Sequence, residues 1–328
     1  MLYPTTLPLI EKMAALFPQD IEVVGPHPPS PSGLGALSGR LGEWQDLGLR
    51  IAIRNASYSD IDFAEYDLLI ESAETAFFSD DWKNHCHRWE CPTIIRACWS
   101  RDPSGLPPGY ASKKDCPILI EHPPHVDIWK AAGWPDVTAL PEPAGDWWFK
   151  REWTGAKEQI LFVLAGKDLW RPADRTCLGL DVWDAICQRF PGKTLHHDGA
   201  VNYKTMQQMS EMFSESRVFV NLDTPYGAGE RSMALVFTEA LCAGLPVVAR
   251  DIPGLSYHDY ISGNGVCTNN FVEMCGFLEH CLSNREFAKG SSTRSREIGS
   301  TNFSTAALRG RYDEVIERAR SAFANRVG

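Results

Sequence analysis

Apolar residues in the first half of the chain form five short runs, each bounded by proline, glycine, asparagine or aspartate. The runs are rich in β-branched residues or leucine, as are strands that a parallel sheet buries on both faces. We expect strands at 21–24, 50–53, 67–70, 93–97 and 118–121. Segments 7–17 and 125–132 have helical length, and the alternation predicts an α/β sheet built from βαβ units.

The second half of the chain repeats this alternation. Residues 25–39 are rich in proline, serine and glycine and predict a long loop in the first half, whereas the polar residues 283–303 predict a polar connection into a final helix. Between them we expect strands at 160–165, 194–197, 218–222 and 246–249, and helices at 179–190, 205–214 and 233–243.

Residues 141–155 separate the two halves. This segment holds two prolines, two glycines and three tryptophans without a clear period, so it predicts a domain boundary. We therefore expect an N-terminal Rossmann-like domain at 1–150 and a C-terminal one at 151–305. A last helix at 306–328 is expected to cross back to the first domain.

The composition excludes several classes of protein. The chain has 328 residues, 44% hydrophobic and 23% charged, which suits two globular domains and excludes a disordered, collagenous or disulfide-scaffold chain. Of the net charge of -10, residues 1–150 carry −9, from 12 Lys and Arg against 21 Asp and Glu. An acidic half repels nucleic acid and anionic lipid, so such partners are disfavoured.

The sequence gives no sign of a membrane span or of secretion. No run reaches about 18 uninterrupted apolar residues, and residues 1–8 lack the basic and apolar regions of a signal peptide. The ten cysteines are scattered without CxxC pairs, as expected of reduced thiols. We expect a cytoplasmic protein.

Residues 218–251 carry the most informative pattern, in which a strand ends in a glycine-rich loop and a helix follows. Gly227 and Gly229 permit close approach of the backbone. The helix N-terminus, near Ser232 or Met233, offers free N–H groups and a partial positive charge. The sequence therefore predicts a phosphate-binding loop at this place.

Glu239 lies in an otherwise apolar row of this helix, and a buried carboxylate needs donors such as a pair of ribose hydroxyls. From Glu239 to Val248 the chain reads EALCAGLPVV. It resembles the group 1 (family 4) retaining glycosyltransferases, whose signature ends in E-A-x-A-x-G-x-P-V-V, and the resemblance covers residues 60–318. It implies the GT-B fold, in which two doubly wound Rossmann-like domains face each other across a cleft.

The resemblance implies a nucleotide-diphosphate sugar on the C-terminal domain and an acceptor on the acidic N-terminal domain. The helix carboxylate would bind the ribose, and the backbone N–H groups of Leu235 and Val236 would face the phosphate. Lys167 and one of two arginines, Arg171 in preference to Arg175, would clamp the diphosphate and neutralise the leaving group.

Three departures from the family pattern bear on these roles. The place of the family's first glutamate, eight residues before the helix glutamate, holds Arg231, with Glu230 beside it. Either Glu230 contacts the donor sugar or the donor is recognised differently. The chain passes from residues 1–8 straight into a helix, so the family's first strand and Gly-Gly loop are missing or shortened. After the fourth predicted strand, residues 98–100 read Cys-Trp-Ser where the family often has a histidine.

Two short patterns resemble metal sites. Asp60 and Asp62 have the D-x-D spacing by which some glycosyltransferases hold a metal ion, but a pattern of three residues often occurs by chance. The histidines and cysteines at 85–91 lack a second ligand pair, and neighbouring helix residues point to different faces. We expect surface and core roles for these side chains, no metal, and no cofactor besides the donor substrate.

We expect a retaining glycosyltransferase of the hexosyl-transferring type. It would move a sugar from a nucleotide-diphosphate donor, a UDP-sugar in preference to a GDP-sugar, to a hydroxyl of a small molecule, glycan or protein. The resemblance implies no protein nucleophile, since a donor phosphate oxygen is the family's favoured base. Two alternatives remain: a glycosyltransferase of hydroxymethylated DNA bases, which needs a basic cleft, and a non-catalytic GT-B relic that binds a nucleotide or a partner protein.

Overall fold

The computed structural model divides the chain into two compact units. Unit 1 comprises Met1–Gly145 and Leu308–Gly328, and unit 2 comprises Asp146–Ala307. The strands pair in parallel in both units, so the protein is α/β, as the sequence predicts. The structure describes residues 7–17, 20–24, 42–54, 56–72, 80–97, 102–163, 179–198, 204–222, 235–253 and 255–328.

Unit 1 alternates helices and strands. Five of its strands begin within two residues of their predicted positions, whereas β6 and α2 were not predicted because neither carries a distinctive apolar run. The helices are α1 (Leu7–Leu16), α2 (Asp80–His85) and α3 (His125–Ala131), and the strands are β1 (Ile21–Val24), β2 (Ile51–Arg54), β3 (Leu69–Ser72), β4 (Thr93–Arg96), β5 (Ile118–Ile120) and β6 (Val137–Ala139).

Two sets of parallel strands form in unit 1. β1 pairs with β2, and the other four strands lie in the order β3-β4-β5-β6. The register sets Ile95 opposite Ile118 and Ile118 opposite Val137. Because these strands are parallel, β4, β5 and β6 all end at one edge of the sheet, the edge where α/β sheets bind ligands.

The core of unit 1 holds charged groups as well as apolar ones. Trp129 and Trp134 pack in a T-shaped contact, with ring centroids 5.8 Å apart. Beside this core Lys113, fully buried, forms an ion pair with Glu71. Burial raises the pKa of Glu71, and the Lys113 ammonium opposes that rise. Burial also raises the pKa of the Cys91 thiol to about 11, which leaves it protonated and unreactive at neutral pH.

Unit 2 alternates strands and helices, as unit 1 does. Its first seven helices and strands lie within three residues of their predicted positions as far as the chain is described, whereas β11 and α7 were not predicted. The strands are β7 (Lys157–Val163), β8 (Thr194–His197), β9 (Ser216–Asn221), β10 (Val247–Ala249) and β11 (Gly265–Cys267), and the helices are α4 (Leu180–Arg189), α5 (Met206–Glu215), α6 (Leu235–Ala243), α7 (Phe271–Ser283) and α8 (Arg285–Phe303).

The sheet of unit 2 is doubly wound. Its order is β11-β10-β9-β7-β8, so the chain proceeds from β7 to β8 on one side and returns to place β9 on the other. Leu161 lies opposite Leu195 of β8 and Phe219 of β9. The strand order therefore reverses between β7 and β9, which makes this the topological switch point of the unit.

The sequence prediction for residues 283–303 is wrong, because α8 occupies residues Arg285–Phe303. The Asn284 side chain caps this helix by accepting a hydrogen bond from the Phe287 N–H at 3.0 Å. Its buried face consists mainly of small residues, and a Cβ at Gly299 would lie 2.8 Å from the backbone of Cys242 in α6. The helix packs closely without an apolar stripe, so hydrophobic periodicity does not reveal it.

The last helix, α9 (Thr305–Val327), places most of its residues in unit 1. Arg318 donates to the Asp136 carboxylate at 2.9 Å, and the Tyr312 hydroxyl donates to the Pro141 carbonyl at 3.3 Å. Neither this helix nor any other in the described ranges is both long and apolar enough to cross a membrane.

Candidate functional site

The candidate site lies at the carboxyl edge of the sheet in unit 2. Val163 ends β7 and Asn221 ends β9, and these two strands are neighbours at the switch point. In open α/β sheets, ligands bind outside the carboxyl ends of the strands at such a reversal. The segments predicted to carry the phosphate and sugar contacts both leave the sheet here, after β7 and after β9.

Gly179 joins the two sides of this edge. It precedes α4 and adopts φ 68°, in the left-handed region that favours glycine. A Cβ at this position would lie 2.1 Å from the carbonyl oxygen of Leu222, which follows β9. Only glycine allows the start of α4 to approach the end of β9 this closely, so the residue fixes where the chain returns after β7.

Helix α6 carries Glu239 and packs mainly against α8, where Gly299 lies against the backbone of Cys242. Glu239 is buried, with 8% of its surface exposed. Gly244, at φ 80°, ends the helix, and the Leu245 N–H donates to the Ala240 carbonyl at 2.9 Å. The chain then enters β10 directly. The helix is thus held at both its core face and its C-terminus, which fixes the position of the carboxylate.

The structure describes only part of the predicted site. Leu235 and Val236 open the described part of α6, and Val236 is half-buried. The remaining predicted contacts lie outside the described residues, and their roles stay predictions: Lys167, Arg171, Arg175, Gly227, Gly229, Glu230, Arg231, Ser232 and Met233.

Two histidines end β8 at the same edge, and the structure gives them different surroundings. His196 is half-buried and stacks on the buried ring of Phe162, with ring centroids 5.3 Å apart. His197 is buried at the strand end. Burial lowers its pKa, Lys204 and His196 lower it further, and Asp198 opposes them. His197 is therefore held neutral near pH 7, with one ring nitrogen as donor and the other as acceptor.

Asn221 is a polar residue at the switch point that the sequence analysis missed. Its side chain is 3% exposed, and its Nδ2 has no hydrogen-bond partner in the described part of the chain. A buried donor left without a partner costs roughly 1–3 kcal/mol. The signal available in the sequence was a lone asparagine ending an apolar strand, which turn formation explains equally well.

The structure gives the metal-like patterns other roles. The Asp62 side chain accepts a hydrogen bond from the Ala64 N–H at 3.0 Å and so caps a short turn. Cys86 and Cys91 are buried in the core of unit 1. Among the residues that the structure describes, no group of three or more His, Cys, Asp or Glu side chains is arranged to hold a metal ion.

Comparison with known proteins gives matches in structure but not in sequence. No protein-family model and no curated protein matches the sequence. HepE from Anabaena, crystallised with UDP and glucose, matches 96% of this chain and 98% of its own, with a TM-score of 0.63 and 10% identity. A glycosyltransferase from Rickettsia africae covers 97% of both chains, with a TM-score of 0.59 and 11% identity.

A third match is the sucrose-phosphate synthase of Thermosynechococcus elongatus. It covers 93% of this chain and 100% of its own, with a TM-score of 0.54 and 13% identity. These neighbours are glycosyltransferases of the GT-B type, and they match nearly the whole chain. The chain therefore has the GT-B fold that the sequence predicts. At such low identity the match establishes the fold alone.

Proposed function

We propose that this protein is a retaining glycosyltransferase that moves a sugar from a nucleotide-diphosphate donor to an acceptor hydroxyl. The observation that carries the proposal is the switch point of unit 2. There β7 and β9 end side by side, Gly179 lies against Leu222, and the buried carboxylate of Glu239 stands on the helix that follows β9.

Glu239 suits a nucleoside with free ribose hydroxyls. A carboxylate accepts hydrogen bonds only, and two vicinal hydroxyls can each donate one to its two oxygens. Burial strengthens such bonds because water competes less for the same groups. We assign the ribose of the donor to Glu239 and the adjoining phosphate to the backbone N–H groups of Leu235 and Val236.

The charged residues of the segments after β7 and β9 would serve the leaving group and the sugar. We assign the diphosphate to Lys167 and Arg171, with Arg175 as the alternative to Arg171. Cations there neutralise the negative charge that grows on the diphosphate as the glycosidic bond breaks. Glu230, or Arg231 in its place, is assigned to the hydroxyls of the donor sugar.

The proposed reaction needs no protein nucleophile. The bond between the anomeric carbon and the diphosphate oxygen breaks, and the nucleoside diphosphate leaves with the electron pair. The acceptor oxygen then bonds to the anomeric carbon on the same face. The acceptor proton passes to an oxygen of the departing phosphate, which balances the step and retains the anomeric configuration.

We favour a UDP-sugar as the donor. HepE, with which this chain shares its fold across nearly its whole length, has been crystallised with UDP and with UDP-glucose. The identity is 10%, so the base and the sugar require a direct measurement.

Thermal unfolding of the full chain with UDP, GDP, ADP and CMP tests the proposal. A ligand at about 100 times its Kd stabilises the folded state by roughly 2.7 kcal/mol, so binding raises the melting temperature. We expect the largest rise with UDP. Release of UDP from UDP-glucose with a saccharide present, followed by NMR of the product's anomeric proton, then tests transfer and retention. No rise with any nucleotide would overturn the proposal, and binding without turnover would favour a non-catalytic relic.

A further inference from the structure

An open groove lies in unit 1 beside the last turns of α9. Its volume is about 530 Å³, and sites for small molecules commonly measure about 300–1,000 Å³. The α9 groove is lined by Trp89, Ser112, Asp115, Ala322, Asn325 and Arg326. Trp89 belongs to the buried core of the unit, whereas Asp115, Asn325 and Arg326 are exposed. A solute can therefore reach the polar side chains of this groove.

The α9 groove lies at the amino edge of the sheet in unit 1. Trp89 comes four residues before β4, and Asp115 comes three residues before β5. Because β4 and β5 are parallel, both strands start at this edge. The ligands of α/β sheets bind at the other edge, where the strands end. A ligand in the α9 groove therefore occupies an auxiliary site, away from the ligand edge of the same sheet.

Contacts with Trp89 hold the cation of the groove in place. The guanidinium carbon of Arg326 lies 4.6 Å from the centroid of the indole ring, within the range of a cation–π contact. Phe323 packs on the same indole, with ring centroids 6.3 Å apart. The N–H groups of a guanidinium lie in its plane, so stacking on a ring leaves them available as donors. The groove thus offers a positioned set of hydrogen-bond donors.

Asp115 and Arg326 give the groove one charge of each sign. Within the ranges that the structure describes, neither side chain forms an ion pair, with the other or with a third residue. A carboxylate only accepts hydrogen bonds, and a guanidinium only donates them. The Ser112 hydroxyl donates to the His87 carbonyl at 3.0 Å, which leaves its oxygen as an acceptor. A ligand that both donates and accepts suits this set of side chains.

We propose that the α9 groove binds an uncharged saccharide. Each hydroxyl of a sugar both donates and accepts, so neighbouring hydroxyls can donate to Asp115 and accept from Arg326. The C–H groups of the sugar suit the apolar surface that Trp89 and Ala322 contribute. A sugar with a single charge is attracted by one of the two charged side chains and repelled by the other, so the charge brings no advantage.

A small zwitterion is the competing ligand, because it also matches the two charges of the groove. Ion pairs at an exposed surface contribute little, however, since water and salt screen them. A zwitterion such as glycine also lacks the C–H face that Trp89 and Ala322 favour. The saccharide therefore uses more of the groove than the zwitterion does.

This inference goes beyond the proposed function and does not depend on it. All six residues of the α9 groove belong to unit 1, and none of them is assigned to the donor or to the transfer step. The groove would hold a saccharide on the protein without taking part in bond formation. Substitutions in it should therefore leave the affinity for UDP unchanged.

Two neutral variants with matched controls test the charged side chains of the groove. Asp115→Asn and Arg326→Gln each remove one charge from an exposed position, so the fold should persist, as an unchanged melting temperature would show. Asp313→Asn removes an exposed carboxylate of α9 outside the groove. Arg320→Gln removes an exposed guanidinium of the same helix, one that pairs with Glu317.

Saturation-transfer NMR on the full chain measures binding, with maltose as the main probe. Asp115→Asn and Arg326→Gln should each weaken maltose binding about fivefold or more, because each removes a hydrogen bond to a charged group. The two control variants should bind maltose as the wild type does. Asn325→Trp provides a second, steric test: its bulky ring at an exposed position fills the groove without changing the charge, and it should abolish maltose binding.

A comparison of small probes on the unmodified protein tests the chemical class. We expect neither glucosamine, which is a cation, nor glucuronic acid, which is an anion, to bind more tightly than glucose. Glycine, as the zwitterion, should not displace maltose.

Several results would overturn the inference. The absence of a maltose signal would do so, and so would wild-type maltose affinity in the folded groove variants, which would place the saccharide elsewhere. Tighter binding of a charged sugar, or displacement of maltose by glycine, would exclude an uncharged saccharide as the preferred ligand. UDP binding measured in parallel separates the two proposals: UDP binding without maltose binding retains the proposed function alone, and the reverse retains this inference alone.

Discussion

Gly179 approaches Leu222 so closely that a Cβ on residue 179 would lie 2.1 Å from the Leu222 carbonyl oxygen. Real Cβ atoms do not approach a backbone oxygen to this distance, so one of the two segments must move if a side chain is added. The contact links the start of α4 to the end of β9. It therefore sets how closely the start of α4 approaches the end of β9 at the switch point.

Gly179→Ala should destabilise unit 2 and weaken UDP binding. The alanine meets both the unfavourable φ of 68° and the Leu222 carbonyl, and we expect a loss of more than about 2 kcal/mol of unfolding free energy. Gly192→Ala is the matched control, because Gly192 has φ 72° but no atom within 4 Å of its Cβ position. It should cost about 1 kcal/mol. Equal losses in urea denaturation would show that the Leu222 contact is unimportant.

Glu239→Gln should weaken UDP binding about tenfold to a hundredfold. The amide keeps the size of the side chain but replaces one acceptor oxygen with a donor, and hydrogen bonds to charged groups contribute about 1.5–3 kcal/mol. Isothermal titration of UDP gives the affinity directly. Glu279→Gln is the control, since Glu279 is an exposed helix carboxylate of the same unit. Wild-type affinity in Glu239→Gln would remove this residue from the ribose site.

The sequence predicted the strands well because buried strands are recognisable as short runs of apolar residues. A parallel strand buried on both faces carries a continuous apolar run, as the buried strand β9 does at Val218, Phe219 and Val220. Helix α8 has the opposite character. Its buried positions recur at helical spacing but hold serine, alanine and glycine, as at Ser291, Ser295 and Gly299. Close packing of small residues stabilises it, and a hydrophobicity pattern does not register that contribution.

Residues of the candidate sites also differ in how far the sequence alone reveals them. Glu239 could be singled out because a carboxylate interrupts an apolar helix within a known pattern. The buried ion pair between Arg96 and Glu142 in unit 1 could not, since the two residues are 46 positions apart in the sequence and meet only through the pairing of β4, β5 and β6. Asn221 was missed because turns also favour asparagine, and its unpartnered donor becomes visible only once burial is known.

Lys167→Ala should weaken UDP binding more than uridine binding. If the ammonium contacts the diphosphate, its loss removes a charge-assisted bond that uridine never makes, and the UDP affinity should fall about tenfold while the uridine affinity stays unchanged. Competition titrations with both ligands measure the two effects. Lys193→Ala is the control, because the Lys193 ammonium pairs with Glu158 on an exposed surface. Equal losses for UDP and uridine would exclude Lys167 from the phosphate contact.

His197 should make the protein less stable in mild acid. Burial lowers its pKa below the ordinary value of 6.5, with Lys204 and His196 adding to that effect and Asp198 opposing it. Below about pH 6.5 the unfolded chain takes up a proton that the folded protein does not, so the free energy of unfolding falls as pH falls. One such group contributes a slope of at most about 1.4 kcal/mol per pH unit. The stabilisation is fully present above pH 6.5, the ordinary pKa that histidine has in the unfolded chain. It is lost as the pH falls toward the lowered pKa of His197 in the folded protein.

Urea denaturation of the wild type and of His197→Gln between about pH 5 and pH 8 measures this slope. The variant loses the titrating group, so its stability should vary less with pH even if burying the amide lowers stability at every pH. His258→Gln serves as the control, because His258 is exposed in the same unit and its removal leaves the buried ring in place. An unchanged slope in His197→Gln, or the same flattening in His258→Gln, would show that another group causes the acid sensitivity. The comparison therefore assigns the slope to a single ring at the carboxyl edge of unit 2, where a neutral imidazole remains available as both donor and acceptor.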